Sequence, residues 1–220
     1  MQDQAAWRPS VNPAAALAAI GFGASDFSID EELRADEISL QRLVARADIE
    51  RVLHLRDHID LSTHTTLDPR FEAHERMRDE CGFVGAFHWR GTVIGTIRVV
   101  PMCHGLTLTE ELLAGTQGDA VGSGDWEVGR LVLAPQYRTN YEVLRQCLYL
   151  SVSYLHEHAP VTALYASCSH ALSRLYRRFG FAMLAQDVCL PGTAKSYTLI
   201  RSEPARVIAA LKPRDITLNQ

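Results

Sequence analysis

The succession of extended and helical segments predicts an α/β fold, a mixed central β-sheet flanked by helices on both faces. Three features carry that expectation. Two aromatic and β-branched runs, Phe83 to Trp89 and Thr92 to Val100, are separated only by Arg90-Gly91 and read as a hairpin. Leu144, Leu148, Val152 and Leu155 recur at helical spacing and form one apolar stripe. Beyond them a short apolar run, Val161 to Ala166, is followed by Ser169 and a second helical pattern, the alternation that lays helices over a sheet.

Residues 1–36 hold Pro, Ser, Gly and scattered acids without periodicity, and are expected to be an arm outside the fold. Residues 37–211 form one domain in this reading, and 212–220 a tail. A first strand is expected from Glu37 to Ala47. Asp48 reads as the N-cap of a helix carrying Ile49, Val52, Leu53, Arg56 and Ile59. Leu61 to Arg70, polar and containing an Asp-Pro pair, is expected to loop, and Phe71 to Glu80 to form a short charged helix. Pro101 ends the hairpin.

Residues 102–124 make a Gly-rich excursion with one helix-like turn, Thr109 to Ala114; a connection that long is often functional. Trp126 to Ala134 is a strand stopped by Pro135, and Arg138 to His158 the amphipathic helix. Ser169 caps a helix carrying Leu172, Leu175, Tyr176 and Phe179, with Gly180 at its C′ position. Phe181 to Leu190 and Lys195 to Arg201 form a closing hairpin about Pro191-Gly192, and a short helix follows Pro204.

The 220 residues, 47% hydrophobic, suffice for one buried core but not for two ordinary enzyme domains. No run approaches the roughly 18 to 20 apolar residues that a membrane-spanning helix needs. The Ala-rich stretch Pro13 to Ile20 is short, and Asp3 stands where a secretory leader is basic, so a cytoplasmic location is expected. Residues 1–40 carry seven acids against two arginines, so −5 of the net −4 resides there and the remainder is +1. That balance excludes the basic footprint of a nucleic-acid binder. The five cysteines include no C-x-x-C pair, which argues against a zinc cluster or redox motif, and their odd number suits a reducing compartment. Cys147 and Cys168 sit in apolar segments as small core residues. His54 and His58, four residues apart, lack the neighbouring Glu of a zinc-peptidase helix, so no metal and no bound cofactor is expected.

Three segments stand out: Ile94-Gly95-Thr96-Ile97-Arg98-Val99-Val100-Pro101, Asp125-Trp126-Glu127-Val128-Gly129-Arg130-Leu131, and Leu175-Tyr176-Arg177-Arg178-Phe179-Gly180-Phe181. In that order they resemble the GNAT acyltransferase superfamily, within it the branch of long-chain N-acyl amino acid synthases and acyl-homoserine lactone (autoinducer) synthases. The resemblance spans roughly Glu37 to Arg201. Its local matches are G-x-x-R-x-x-P at Gly95 to Pro101, W-E-x-x-R at Trp126 to Arg130, and the pair Leu55-Arg56. Autoinducer synthases also show D-x-x-D ahead of the first hairpin; here the stretch is Arg76-Met77-Arg78-Asp79, with only the second acid, and Gly129 replaces the Ser expected before the strand arginine.

The resemblance implies a GNAT-like sheet and N-acyl transfer from a thioester to the amine of an amino acid or similar metabolite. Amine attack needs a deprotonated nitrogen, and the resemblance makes Glu127 the general base. The alternative is a core-edge carboxylate paired with Arg130 or Arg98. In a regular strand Glu127 and Arg130 face opposite sides; a bulge at Gly129, which the resemblance implies, changes that. Arg98 and Arg130 lie in apolar runs, so each needs a carboxylate, either that of an amino-acid substrate or a bridge to Glu127 or Asp79. Arg56 and Asp79 complete the implied acceptor side, although an exposed helix arginine is also a common role for Arg56. Tyr176 matches the family tyrosine that acts as general acid toward the departing thiolate, or simply packs against its helix.

The resemblance places the donor along Leu131, Val132 and Leu133, with Arg138 and Asn140 beyond. CoA-dependent members carry R-x-x-G-x-G there, bare backbone N–H groups cradling the pyrophosphate. Here the stretch is Arg138-Thr139-Asn140-Tyr141-Glu142-Val143, with both glycines replaced and an acid added. That disfavours a close pyrophosphate cradle and points to acyl-phosphopantetheine on an acyl carrier protein, with acyl-CoA as the other co-substrate. Arg138, Arg145, Arg174, Arg177 and Arg178 either form a basic face for that acidic partner or are an ordinary solvated face. Other functions that fit are an acetyl-CoA-dependent N-acetyltransferase, an acyl-homoserine lactone synthase, and a non-catalytic module that binds an acyl carrier or metabolite.

Overall fold

The computed structural model describes residues 37–56, 71–116, 120–190 and 195–212. The expected arm, the Leu61 to Arg70 loop, the far end of the first helix, the Pro191-Gly192 turn and nearly all of the tail lie outside them. The described elements are β1 (Ser39–Leu43), α1 (Arg46–Leu53), α2 (Phe71–Cys81), β2 (Phe83–Trp89), β3 (Thr92–Pro101), α3 (Leu108–Ala114), β4 (Asp125–Leu133), α4 (Tyr141–His158), β5 (Ala163–Cys168), α5 (His170–Arg178), β6 (Ala182–Cys189), β7 (Ser196–Ser202) and α6 (Pro204–Leu211). Among the described residues seven strands make one sheet in the order β1-β2-β3-β4-β5-β7-β6. β4 and β5 run parallel and every other neighbouring pair is antiparallel, the mixed sheet expected.

The side-chain alternation of the strands divides the interior in two. Phe83, Phe87, Ile97, Val99 and Leu164 meet α4, α5 and α6 on one face, through Leu148, Leu172, Phe179 and Val207. On the other face α1 covers Val84 and Ala86 with Val52, while α3 covers Ala163, Tyr165 and Leu199 with Leu108 and Leu112. Cys147 and Cys168 are buried, as small core residues should be. Ser169 accepts from the Leu172 N–H at 3.2 Å to start α5, and Gly180, at φ +91°, ends it.

Several boundaries differ from the sequence reading. α1 starts two residues before Asp48: Ala45 is its N-cap with no side-chain cap, and Asp48 sits in the first turn beside Arg51. The Arg46–Glu50 pair, 2.9 Å apart one turn on, supports the added residues. Leu55 and Arg56 lie past the end of α1, in turns closed by bonds to Val52 and Leu53 at 3.1 and 2.7 Å. α4 begins at Tyr141 rather than Arg138, because Pro135–Tyr137 is a separate 3₁₀ turn and the Asn140 side chain caps the Val143 N–H at 3.1 Å. α3 starts at Leu108, after a reciprocal cap between Thr107 and Glu110. β1 is shorter than expected, and β5 runs two residues further.

One glycine sets the position of α2 above β3. A Cβ at Gly82 would stand 2.6 Å from the Val99 carbonyl oxygen and 2.7 Å from that of Arg78, both backbone atoms that no rotamer change can move. Gly82→Ala should therefore lower unfolding stability by about 1–3 kcal/mol, read as a fall in the urea midpoint. An unchanged midpoint would show that α2 and β3 separate freely.

Candidate active site

β4 changes character at its middle. Its register to β3 slips between Thr96 and Arg98, where β4 carries one extra residue, and Arg130 takes φ +51°. This is a bulge, and it turns Arg130 to the same face as Glu127. Ladder pairing of β4 with β5 runs from Asp125↔Ala163 to Glu127↔Tyr165 and goes no further, although β4 continues to Leu133 and β5 to Cys168. The sheet thus opens beside the bulge, leaving the β5-facing edge of Val128 to Leu133 without a strand partner among the described residues.

On the bulge face α2 lays three side chains, Glu75, Arg78 and Asp79, over the strand arginines. Arg98 donates from Nη1 and Nη2 to the Glu75 oxygens at 3.1 and 3.0 Å, and from Nη1 to Asp79 at 3.3 Å. Arg78 Nη1 reaches Glu75 at 2.6 Å. Arg56 Nη1 meets both Asp79 oxygens at 2.9 and 3.1 Å. Arg130 Nη2 lies 2.9 Å from Glu75 Oε2, close enough for an ion pair but not aligned as a hydrogen bond. Arg56, Arg78, Arg98 and Arg130 are all buried. Burial alone pushes the Glu75 carboxyl up, but Arg130, Arg98 and Arg78 outweigh it and hold Glu75 well below the usual carboxylate range. For Arg98 burial pulls the guanidinium down, and Glu75 and Asp79 more than restore it. Arg56 stays lowered, because burial exceeds what Asp79 returns.

Glu127 is buried on the same face, close enough to strengthen the positive charge of Arg98 and Arg78. Its Oε2 accepts the backbone N–H of Thr109, at the start of α3, at 2.8 Å. A Cβ on Gly129 would lie 3.8 Å from Glu127 Oε1, so the missing side chain leaves room beside that oxygen. Among the described residues these four guanidinia share the carboxylates of Glu75, Asp79 and Glu127. Arg56 Nε and Nη2 and Arg130 Nε and Nη1 have no hydrogen-bond partner among the described residues. Both arginines line a cavity of about 500 Å³ between α1, α2 and the sheet, with Glu75, Asp79, Leu43, Ile49 and Leu53 among its other walls. Glu127 is not part of that lining; it lies three positions before Arg130, where the strands part.

Residues 65–203 match the family described as N-acyl amino acid synthase FeeM. The chain belongs to that family. The structure of FeeM itself, from uncultured soil microbes, shares 14% identity at a TM-score of 0.54, covering 77% of this chain and 92% of that one. A GNAT family acetyltransferase from Elizabethkingia anophelis with acetyl-CoA bound gives 13% and 0.52, covering 76% and 99%. Spermidine/spermine N-acetyltransferase SpeG from Vibrio cholerae gives 11% and 0.52, covering 80% and 97%. A comparison with curated protein sequences returned no match. The fold is that of the GNAT superfamily, and the protein is an N-acyltransferase.

Within this N-acyltransferase the expected acceptor residues Arg56, Asp79, Arg98 and Arg130 come together, whereas Tyr176 stands apart on α5, its ring edge-on to Phe179 and Phe181. Neither Arg98 nor Arg130 takes Glu127 as its close ion-pair partner; Glu75 and Asp79 serve instead. Glu75 was missed because it precedes the stretch matched to D-x-x-D. The usable signal was its four-residue spacing from Asp79, which puts both acids on one helix face. The Thr109 contact had no local signal, since 18 residues separate it from Glu127. Three of the five arginines expected on a basic face have partners: Arg138 Nε donates to the Leu133 carbonyl at 3.0 Å, Arg145 Nη1 to that of Leu211 at 2.6 Å, and Arg174 Nη2 lies 3.4 Å from His170 Nε2. Among the described residues no helix is long and apolar enough to cross a membrane.

Removing the Glu75 charge takes a carboxylate from three guanidinia at once, so Glu75→Gln should cost about 3–5 kcal/mol of stability at pH 7. Because the folded carboxyl is depressed, its contribution is complete above the unfolded value of about 4.3 and fades as pH falls through the folded value. Urea unfolding at pH 7 and pH 3 should show the gap between wild type and variant narrowing in acid. A gap independent of pH would contradict the assignment.

Proposed function

We propose that the protein transfers an acyl group from an acyl carrier protein thioester to the amine of an α-amino acid. The observation that carries the acceptor is a pair of buried arginines, Arg56 and Arg130, that face one cavity with donors no described residue accepts. A buried guanidinium without a partner is costly, and a carboxylate accepts from two of its N–H groups at once. Arg56 and Arg130 hold the acceptor carboxylate; Arg98, saturated by Glu75 and Asp79, keeps the walls in place.

In the reaction the amine nitrogen gives a proton to Glu127 and attacks the thioester carbonyl carbon. The C–N bond forms, the C–S bond breaks and a thiolate departs. The chain's contribution on the leaving-group side is a hydrogen bond from Tyr176 rather than a full proton. Burial, with a smaller push from Cys168, raises that phenol above the ordinary tyrosine value, and so well above a thiol at about 8.5. The thiolate then takes its proton from water, and Glu127 returns its own to solvent.

The donor reading rests on the turn before α4. The Asn140 side chain already occupies the Val143 N–H, Glu142 stands in the first turn, and Arg138 points back to Leu133. A pyrophosphate there would meet an acid and a capped helix end. Phosphopantetheine has one phosphate and needs only the open edge at Leu131, Val132 and Leu133.

Glu127→Gln should keep its Thr109 bond and its fold yet lose thiol release by roughly 100-fold or more, assayed with long-chain acyl carrier protein and mixed amino acids. The same assay with acetyl-CoA should give little product. Full activity in Glu127→Gln would remove the base, and a preference for acetyl-CoA would remove the carrier.

A further inference from the structure

We propose that Glu110 is a positioning residue for Glu127, acting through the backbone N–H of Thr109. The inference rests on Glu127 as the base of the preceding reading and extends it to a segment that reading leaves unused, the excursion after β3.

Glu110 never approaches the cavity, yet it gathers the turn that leads into α3. Its Oε1 accepts from the N–H groups of His104 and Gly105 at 2.9 and 3.0 Å, and its Oε2 from the Thr107 N–H and hydroxyl, both at 2.9 Å. The Thr107 hydroxyl in turn accepts from the Glu110 N–H at 3.2 Å. Burial pushes the Glu110 carboxyl up, but donors from Thr107, Gly105 and Cys103 prevail and keep it lowered, hence ionised at neutral pH. Two further contacts tie the turn down: Arg78 Nε donates to the Leu106 carbonyl at 2.6 Å, and Cys103 Sγ to that of Val121 at 2.9 Å.

The product of this bonding is the placement of one donor. Thr109, fully buried, stands two residues after the capping Thr107 and aims its N–H at Glu127 Oε2. In the first turn of a helix that N–H has no intrahelical acceptor, so it is available for the task. Holding Oε2 fixes the carboxylate's rotation and leaves Oε1 facing the space kept open by Gly129. Without that anchor the carboxylate is drawn toward Arg78 and Arg98, whose charge it already feels. A base turned toward those arginines no longer faces an incoming amine, and misplacement by about 1 Å costs turnover heavily.

The test uses the full-length enzyme with acyl carrier protein donor and amino-acid acceptor, assayed well below each variant's unfolding midpoint. Glu110→Ala should lower kcat about tenfold, the loss of one charge-assisted hydrogen bond, while KM for the acceptor stays within about twofold because Arg56 and Arg130 are untouched. Glu110→Gln, which keeps one accepting oxygen, should recover an intermediate kcat. If Glu110→Ala fails to fold, the split between kcat and KM in Glu110→Gln decides alone. Wild-type kcat in the variants, or a rise in KM matching the fall in kcat, overturns the positioning role. Glu127→Gln run alongside separates the two claims: if it too is fully active the base assignment has failed, whereas an inactive Glu127→Gln beside a normal Glu110→Ala sinks only this inference.

Discussion

Four buried guanidinia held by three carboxylates form the constraint on which the rest of this structure depends. Glu75 is its hinge, reached by Arg78, Arg98 and Arg130 at once. Charges this far from water persist only when paired, so the group dictates where α2 must lie and why Gly82 has no side chain. It also leaves a remainder. Several donors on Arg56 and Arg130 have no hydrogen-bond partner among the described residues, and both arginines face the same cavity.

The second half of the geometry comes from β4. One extra residue at Arg130 does two things: it brings Glu127 and Arg130 to a common face, and it accompanies the parting of β4 from β5 beyond Glu127. Glu127, the cavity-lining Arg130 and the open strand edge therefore lie close together on one strand. Electrostatics and backbone shape cooperate, because the bulge beside the open edge also delivers Arg130 to Glu75. α3 contributes from the side, pinning the carboxylate that the bulge exposes.

Much of the fold could be read from local signals. The β2–β3 hairpin, the Ser169 cap and the Gly180 stop each depend on residues a few positions apart, and the family motifs located Glu127, Arg98 and Arg130. Ala45 rather than Asp48 begins α1 because Arg46 finds Glu50 and Glu80, the latter 34 residues away. Glu75 lies one residue outside the Arg76 to Asp79 stretch that corresponds to D-x-x-D, although helical periodicity pairs it with Asp79. Glu110 looks like an ordinary capping residue until its helix is seen to end against Glu127. For Glu110 the deciding partner lies far along the chain, through the Thr109 contact to Glu127.

The most direct measurement of the central claim is calorimetric binding of an N-acyl amino acid, the product implied by this account, against its carboxamide analogue. The two differ only in the charge that Arg56 and Arg130 are held to recognise. The account predicts at least about tenfold weaker binding of the carboxamide. Equal affinities would show that the unpaired guanidinia do not hold a carboxylate, and the acceptor site would have to lie elsewhere.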